Sequence, residues 1–158
     1  MPMSPTIALS SRPDPMALAL DEARRAARRG EVPVGAVILH DGEVVASAGN
    51  RTLEAKDPTA HAEMLAIRAA CERLGSERLA TCDLYVTLEP CAMCATAISF
   101  ARLRRLYFGA PDPKMGGVEH GPRIFAQPTC HHRPEVYGGI RETEAALLLR
   151  AFFEARRA

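Results

Sequence analysis

Leu84-Tyr85-Val86-Thr87-Leu88-Glu89-Pro90-Cys91-Ala92-Met93-Cys94 begins as a strand and ends as a helix. Leu84 to Leu88 is a short apolar and β-branched run, the pattern of a buried strand. Pro90 suits the opening of a helix, where its missing N–H has no partner to lose and its φ is already helical. A strand that feeds directly into a helix is the unit of an α/β sheet, and such sheets gather ligands where their strands end. Cys91 and Cys94 fall at that point. Three residues apart, they lie about 60° apart on a helix and can chelate one ion.

His61-Ala62-Glu63 supplies the other half of the pattern. Two residues apart on a helix wheel means a separation of about 200°, so His61 and Glu63 cannot share a lateral face. They converge if they sit on a first turn, where side chains project around the helix end. The preceding Asp57-Pro58-Thr59 offers capping residues for such a start. Two helix N-termini would then aim unsatisfied N–H groups at one point, and that positive end favours thiolates.

A structural zinc is usually closed by four protein ligands, whereas a hydrolytic zinc keeps three and leaves the fourth position to water. His61, Cys91 and Cys94 make one set of three, while Cys71, Cys82 and Cys130 stand alone without a second Cys-x-x-Cys. Thiolate and imidazole donors make zinc the natural metal. Glu63 is a carboxylate that need not ligate, placed to pass protons. His-x-Glu followed by Pro-Cys-x-x-Cys is the known signature of zinc nucleobase deaminases, in which water replaces an amino group on a base. Either half alone says little, since a lone His-x-Glu is commonly incidental and a lone Cys-x-x-Cys is also a redox or structural motif. Together, each at a helix start, they predict a catalytic metal centre.

Around this centre the chain reads as one α/β domain. Residues 1–13, with Pro2, Pro5 and Pro13 among serines, read as a flexible tail, and residues 14–158 as a single zinc-dependent domain. Asp14-Pro15 caps a helix whose Met16, Ala19, Leu20, Ala23 and Ala27 recur at helical spacing before Gly30. Val34 to Leu39 and Val44 to Ala48 flank an Asp41-Gly42 turn and read as a hairpin. In the His61 helix, Ala60, Met64, Ile67, Cys71 and Leu74 form a predicted buried stripe, which makes Cys71 a core residue. Arg105 to Gly109 reads as another strand. Pro111 to Pro134 reads as an irregular lobe with one short strand near Ile124-Phe125. Glu144, Leu147, Leu148, Ala151, Phe152 and Ala155 sketch a terminal helix. No internal repeat is visible.

With 158 residues, 47% hydrophobic and 25% charged, the composition is that of a globular domain. A formal net charge of +1 leaves no global footprint for nucleic acid, so any phosphate contact must be local. Arginines cluster at Arg24 to Arg29, at Arg102 to Arg105 and at Arg156-Arg157, each readable as a solvated face or as phosphate-binding. No run reaches membrane-spanning length, and Met1 to Asp14 lacks the layout of a signal peptide. Five cysteines without a regular framework fit a reducing compartment. The expected location is the cytoplasm.

Several further stretches carry a resemblance: Glu31-Val32-Pro33-Val34-Gly35-Ala36-Val37, Gly49-Asn50-Arg51, Asp57 to Glu63, Tyr85 to Cys91, Phe108-Gly109-Ala110 and Asp112-Pro113-Lys114. Over roughly Asp14 to Arg157 the chain resembles the bacterial tRNA-specific adenosine deaminases of the cytidine deaminase-like superfamily. The resemblance implies a three-layer α/β/α fold with a mixed, mostly five-stranded sheet, and hydrolysis of the wobble adenosine of a tRNA anticodon loop to inosine and ammonia. It also implies a homodimer with one zinc per subunit. His61, Cys91 and Cys94 would then hold the metal and Glu63 would be catalytic. Asn50 would hydrogen-bond the base, although an Asn that merely caps a loop reads equally well, and Val34, Gly35, Ala36, Leu88 and Pro90 would line the pocket. Asp112, Lys114, His132, Arg133, Phe153, Arg156 and Arg157 are candidate RNA contacts. The chain has His131-His132 where many members have Asn-His. Deamination of a free guanine or cytosine base or nucleoside fits the zinc signature equally, and a catalytically silent RNA-binding subunit is a third reading that the intact Glu63 disfavours.

Overall fold

Residues 14–157 are described by the computed structural model; the tail expected over residues 1–13 lies outside them, as does Ala158. Helix α1 (Pro15–Arg28) starts where Asp14 Oδ1 accepts the backbone N–H groups of Met16 and Ala17, at 3.0 and 3.3 Å. Strands β1 (Gly35–His40) and β2 (Glu43–Gly49) form the expected hairpin around Asp41 and Gly42, both at positive φ. Then come α2 (Ala62–Leu74), β3 (Cys82–Leu88), α3 (Ala92–Phe100), β4 (Arg105–Ala110), β5 (Glu135–Tyr137) and α4 (Glu142–Arg157). Among the described residues, no helix is long and apolar enough to cross a membrane.

The sheet order is β2-β1-β3-β4-β5, antiparallel from β2 to β3 and parallel from β3 to β5. Side-chain alternation sends Ala36, Ile38, Leu84, Val86, Leu106 and Phe108 to the face covered by α2 and α3. Val37 and Tyr85 point the other way, with α1 and α4 through Met16, Leu20 and Ala145. The mixed five-stranded, three-layer expectation holds.

Three local expectations fail for physical reasons. Ile124–Ala126 is a turn of 3-10 helix, not a strand; the fifth strand is Glu135–Tyr137, three residues too short to show an alternation. Of the stripe expected on α2, Ala60 and Ile67 are buried, but the helix buries Ala62, Glu63, Ala66 and Ala70 beside Ile67, so Met64 and Cys71 are half-buried and Leu74 is exposed. Small alanines bring the helix axis close to the sheet and leave the larger side chains outward. In α4 Leu147 is exposed and only Ala145 is fully buried, because the helix lies on the sheet through its N-terminal half.

Gly35 shows how tightly α1 seats. A Cβ built there would stand 1.9 Å from the Ala19 carbonyl oxygen and 2.7 Å from the Ala23 nitrogen. Gly35→Ala should therefore destabilise the fold by about 1–3 kcal/mol, the usual cost of overpacking. The measurement is the denaturant midpoint, which should fall with little change of slope. An unchanged midpoint would show that α1 has room to move.

Candidate metal centre

Helices α2 and α3 begin at one place. His61 is the N-cap of α2 and Cys91 the N-cap of α3, which puts Glu63 and Cys94 on the first turns. Neither N-cap side chain bonds back to its own helix. His61 Nδ1 lies 3.6 Å from Cys91 Sγ and 3.5 Å from Cys94 Sγ, and the three donor atoms all lie within 4.8 Å of one another. A tetrahedral zinc with Zn–S about 2.3 Å and Zn–N about 2.0 Å sets such nitrogen and sulfur atoms about 3.6 Å apart. The donors already have the spacing that the ion requires.

Their electrostatics agree. A hydrogen bond from Cys94 is the main influence holding the Cys91 thiol down to about 4, against the effect of burial and with help from His61. That same neighbour, then burial and the Glu63 charge, pushes Cys94 far above an ordinary thiol. The His61 imidazole is raised, chiefly by its bond to Cys91. Protein groups alone thus favour one thiolate of the pair. A doubly charged cation is the group that allows both to ionise, because metal ligands bind deprotonated. The set fits zinc.

Glu63 lies beside these donors without being one of them. It is only 4% exposed, and burial pushes its carboxyl up to about 7, opposed by its own backbone N–H. Asn50 Oδ1 accepts the Ala62 N–H at 2.8 Å, capping α2 from twelve residues away. The expected capping by Asp57 does not occur, because Asp57 instead accepts the backbone N–H and hydroxyl of Thr59 at 2.8 and 2.7 Å and closes its own turn. With the Asn50 carbonyl engaged, its NH2 is the group left to meet a ligand, and it can only donate. The Asn50 backbone N–H bonds Val34 O at 3.1 Å, so the Val34–Ala36 stretch runs alongside. Leu88, Glu89 and Pro90 lead from the end of β3 into Cys91.

Two buried carboxylates that sequence reading passed over flank the centre. Glu31, 1% exposed, accepts the Leu53 and Glu54 N–H groups at 3.1 and 2.9 Å and the Thr52 hydroxyl at 3.4 Å. Glu89, 2% exposed, accepts the backbone N–H groups of Asp112, Val118, Glu119 and His120 between 2.9 and 3.2 Å, with His120 Nδ1 at 2.7 Å. Burial raises both carboxyls, but these donors together outweigh it and hold both below the usual glutamate value of 4.5. A depressed folded-state pKa contributes stability that is present above 4.5 and is lost as pH falls through the folded value. Stability should therefore decline below pH 4.5, and a Glu31→Gln, Glu89→Gln double variant should show a shallower acid limb in thermal melts. The sequence signal was an acidic residue at the edge of an apolar run, Glu31-Val32-Pro33-Val34 and Val86-Thr87-Leu88-Glu89-Pro90.

The candidate RNA contacts divide. Asp112 and Lys114 lie on the loop docked at the centre, where Gly116 bridges to Cys91 and the Gly117 N–H bonds Pro90 O at 2.8 Å. His132 turns inward, its Nε2 on Leu103 O at 2.6 Å, while Arg133 is exposed on an open cleft that also holds Arg123. Arg156 stacks over Phe152 at 4.0 Å and donates to Gly30 O at 2.7 Å, which anchors the end of α4 beside Glu31. Phe153 and Arg157 are exposed.

Residues 10–110 match the cytidine and deoxycytidylate deaminase zinc-binding region. The chain belongs to this deaminase family. It is 64% identical over 142 residues to the tRNA-specific adenosine deaminase of Agrobacterium fabrum, covering 90% of this chain and 93% of the relative. A solved structure from work on A-to-I editing by tRNA:A34 deaminases at the wobble position of transfer RNA superposes with a TM-score of 0.85 at 64% identity. It covers 85% of this chain and 98% of that one. A guanine deaminase from Bacillus subtilis gives a TM-score of 0.61 at 30% identity, covering 91% and 92% of the two chains. The family's zinc region encloses His61, Cys91 and Cys94.

Proposed function

We propose that this deaminase hydrolyses the wobble adenosine of a tRNA anticodon loop to inosine, releasing ammonia. The observation that carries the reading is near full-length likeness to a tRNA-specific adenosine deaminase, joined to an intact His61, Cys91, Cys94 and Glu63 centre. Residues 14–158 act as one catalytic domain, and the reaction takes place in the cytoplasm, where tRNA is met and the ligand thiols stay reduced.

His61 Nδ1, Cys91 Sγ and Cys94 Sγ would hold the zinc. When bound, it makes water acidic enough to serve as a nucleophile near neutral pH. Glu63, buried beside the three donors, accepts the proton of the attacking water and delivers it to the ring nitrogen next to the amino-bearing carbon. It then takes the remaining proton from the added hydroxyl as the C=O forms and hands it to the departing amino group, which leaves as ammonia. Asn50 orients the flipped base by donating from its free NH2, and the Val34–Ala36 and Leu88–Pro90 backbones form the walls. Asn50→Asp keeps an acceptor for the Ala62 N–H but removes that donor. It should retain the melting temperature within a few degrees and lose about 10- to 100-fold in kcat/KM, the scale of one substrate hydrogen bond; full activity would exclude Asn50 from base recognition.

Met64, Ala92, Met93, Thr96, Ala97 and Phe100 line a shallow apolar groove on the outer face of α2 and α3, where Phe100 is 78% exposed. Its occupant in this reading is a second copy of the chain, forming a homodimer. Light scattering should give twice the mass of the chain.

Guanine deamination is the competing activity, favoured by the 30% identical guanine deaminase. The deciding assay offers the zinc-loaded protein an adenosine-bearing anticodon stem-loop, free adenosine, guanine and cytosine, and measures ammonia. Release from the stem-loop alone supports the reading; release from guanine alone replaces it.

A further inference from the structure

Among the described residues, the hydrogen bonds to the Glu31 and Glu89 carboxylates all come from the two loops on either side of the metal centre. Every donor to Glu31 comes from residues 52–54, between Asn50 and His61, and every donor to Glu89 comes from residues 112–120, on the far side of Cys91. Each of these residues is rooted in a regular element, Glu31 through its N–H on Ala26 O of α1 and Glu89 through its N–H on Ala110 O of β4. Both loops present a large apolar side chain to solvent, Leu53 at 70% and Met115 at 69% exposure. Asp112 fixes the second loop further, its Oδ1 accepting the Lys114 and Met115 N–H groups at 3.2 and 3.0 Å.

We propose that Glu31 and Glu89 are positioning residues that hold the loops 51–57 and 112–120 as two rigid lips, which grip the single-stranded nucleotides flanking the flipped base. This rests on the RNA reading above and names how that site holds its substrate. An unpaired backbone N–H in a surface loop would ordinarily turn to water, and the loop would sample many conformations. A buried carboxylate that collects three to five donors removes that freedom in advance, so RNA binding has less ordering to offset. Exposed apolar side chains on fixed lips then stack or pack on unpaired bases, as single-strand binding surfaces do. Because the lips touch the substrate away from the reacting carbon, loosening them removes binding that is common to ground and transition states. Such a loss raises KM and leaves kcat.

Substitution by Gln separates this role from general support. In Glu89→Gln the amide oxygen can keep the Val118, Glu119 and His120 N–H groups, but its NH2 then faces the Asp112 N–H and repels it. In Glu31→Gln either orientation confronts one of the Leu53 and Glu54 N–H groups with a second donor. Gly116→Ala disturbs the same lip from the loop side while leaving the carboxylate itself in place, since its Cβ would stand 2.3 Å from Glu89 Oε2 and 2.5 Å from the Asp112 carbonyl oxygen and so push the two apart. The experiment measures kcat and KM on the anticodon stem-loop, together with zinc content and melting temperature, for the wild-type protein and these three variants. Each variant should show KM raised about tenfold or more, with kcat within about threefold and one zinc retained, a change near 1.4 kcal/mol per tenfold. An unchanged KM overturns the proposal, as does a fall in kcat that follows zinc loss. A wild-type protein that makes no inosine from the stem-loop overturns the RNA reading instead.

Discussion

Glu63→Gln is expected to bind one zinc, melt near the wild-type temperature and lose about 10²- to 10⁴-fold in kcat, the contribution of a positioned general acid–base. The glutamine is isosteric, so the buried site stays filled. It cannot accept the water's proton or carry it to the ring nitrogen. Because Glu63 is 4% exposed, no solvent carboxylate or buffer reaches the position to replace it. The check pairs metal analysis with single-turnover kinetics on the stem-loop. Near-normal turnover in a zinc-loaded variant would end the proton-shuttle role and return Glu63 to a structural one.

Cys94→Ala should be more damaging still. It removes one of three donors and leaves the Cys91 and His61 pair, which cannot close the protein side of a hydrolytic zinc site. Zinc content should fall below one tenth of wild type, and activity to the assay background, by order of magnitude from the 10- to 100-fold affinity lost even when only supporting residues of metal sites are changed. The packing cost is modest, since Cys→Ala removes a single sulfur, so the protein should still fold. Excess zinc should not restore turnover. Full zinc retention would show that another residue completes the site.

The metal ligands were legible because their spacing carries its own geometry. His61 and Glu63 can cooperate only at a helix end, and Cys91 follows so closely on the strand Cys82–Leu88 that it too must sit at one. Both deductions match the paired N-caps of α2 and α3. The sheet core was legible for a similar reason, since the strands it contains are runs of buried apolar residues. What escaped was long-range and polar. Asn50, not Asp57, caps α2, a contact that depends on how β2 ends relative to α2. Glu31 and Glu89 read as ordinary acidic residues until the loops 52–54 and 112–120 fold over them. Arg156 read as a candidate RNA contact; its guanidinium also meets the Phe152 ring one turn away on α4 and Gly30 O, the latter reachable only after α4 has docked. Three-residue β5 left no periodic trace and exists because Glu135 to Tyr137 pair with Arg105 to Tyr107.

In the proposed reaction, the oxygen of a water activated at the His61, Cys91 and Cys94 centre replaces the amino group of one adenosine in an anticodon loop. The direct measurement incubates the zinc-loaded protein with the stem-loop in oxygen-18 water, then maps and weighs the modified nucleoside. A single inosine at the wobble position, carrying the heavy oxygen, is the expected product. An unaltered stem-loop beside deaminated guanine would contradict it.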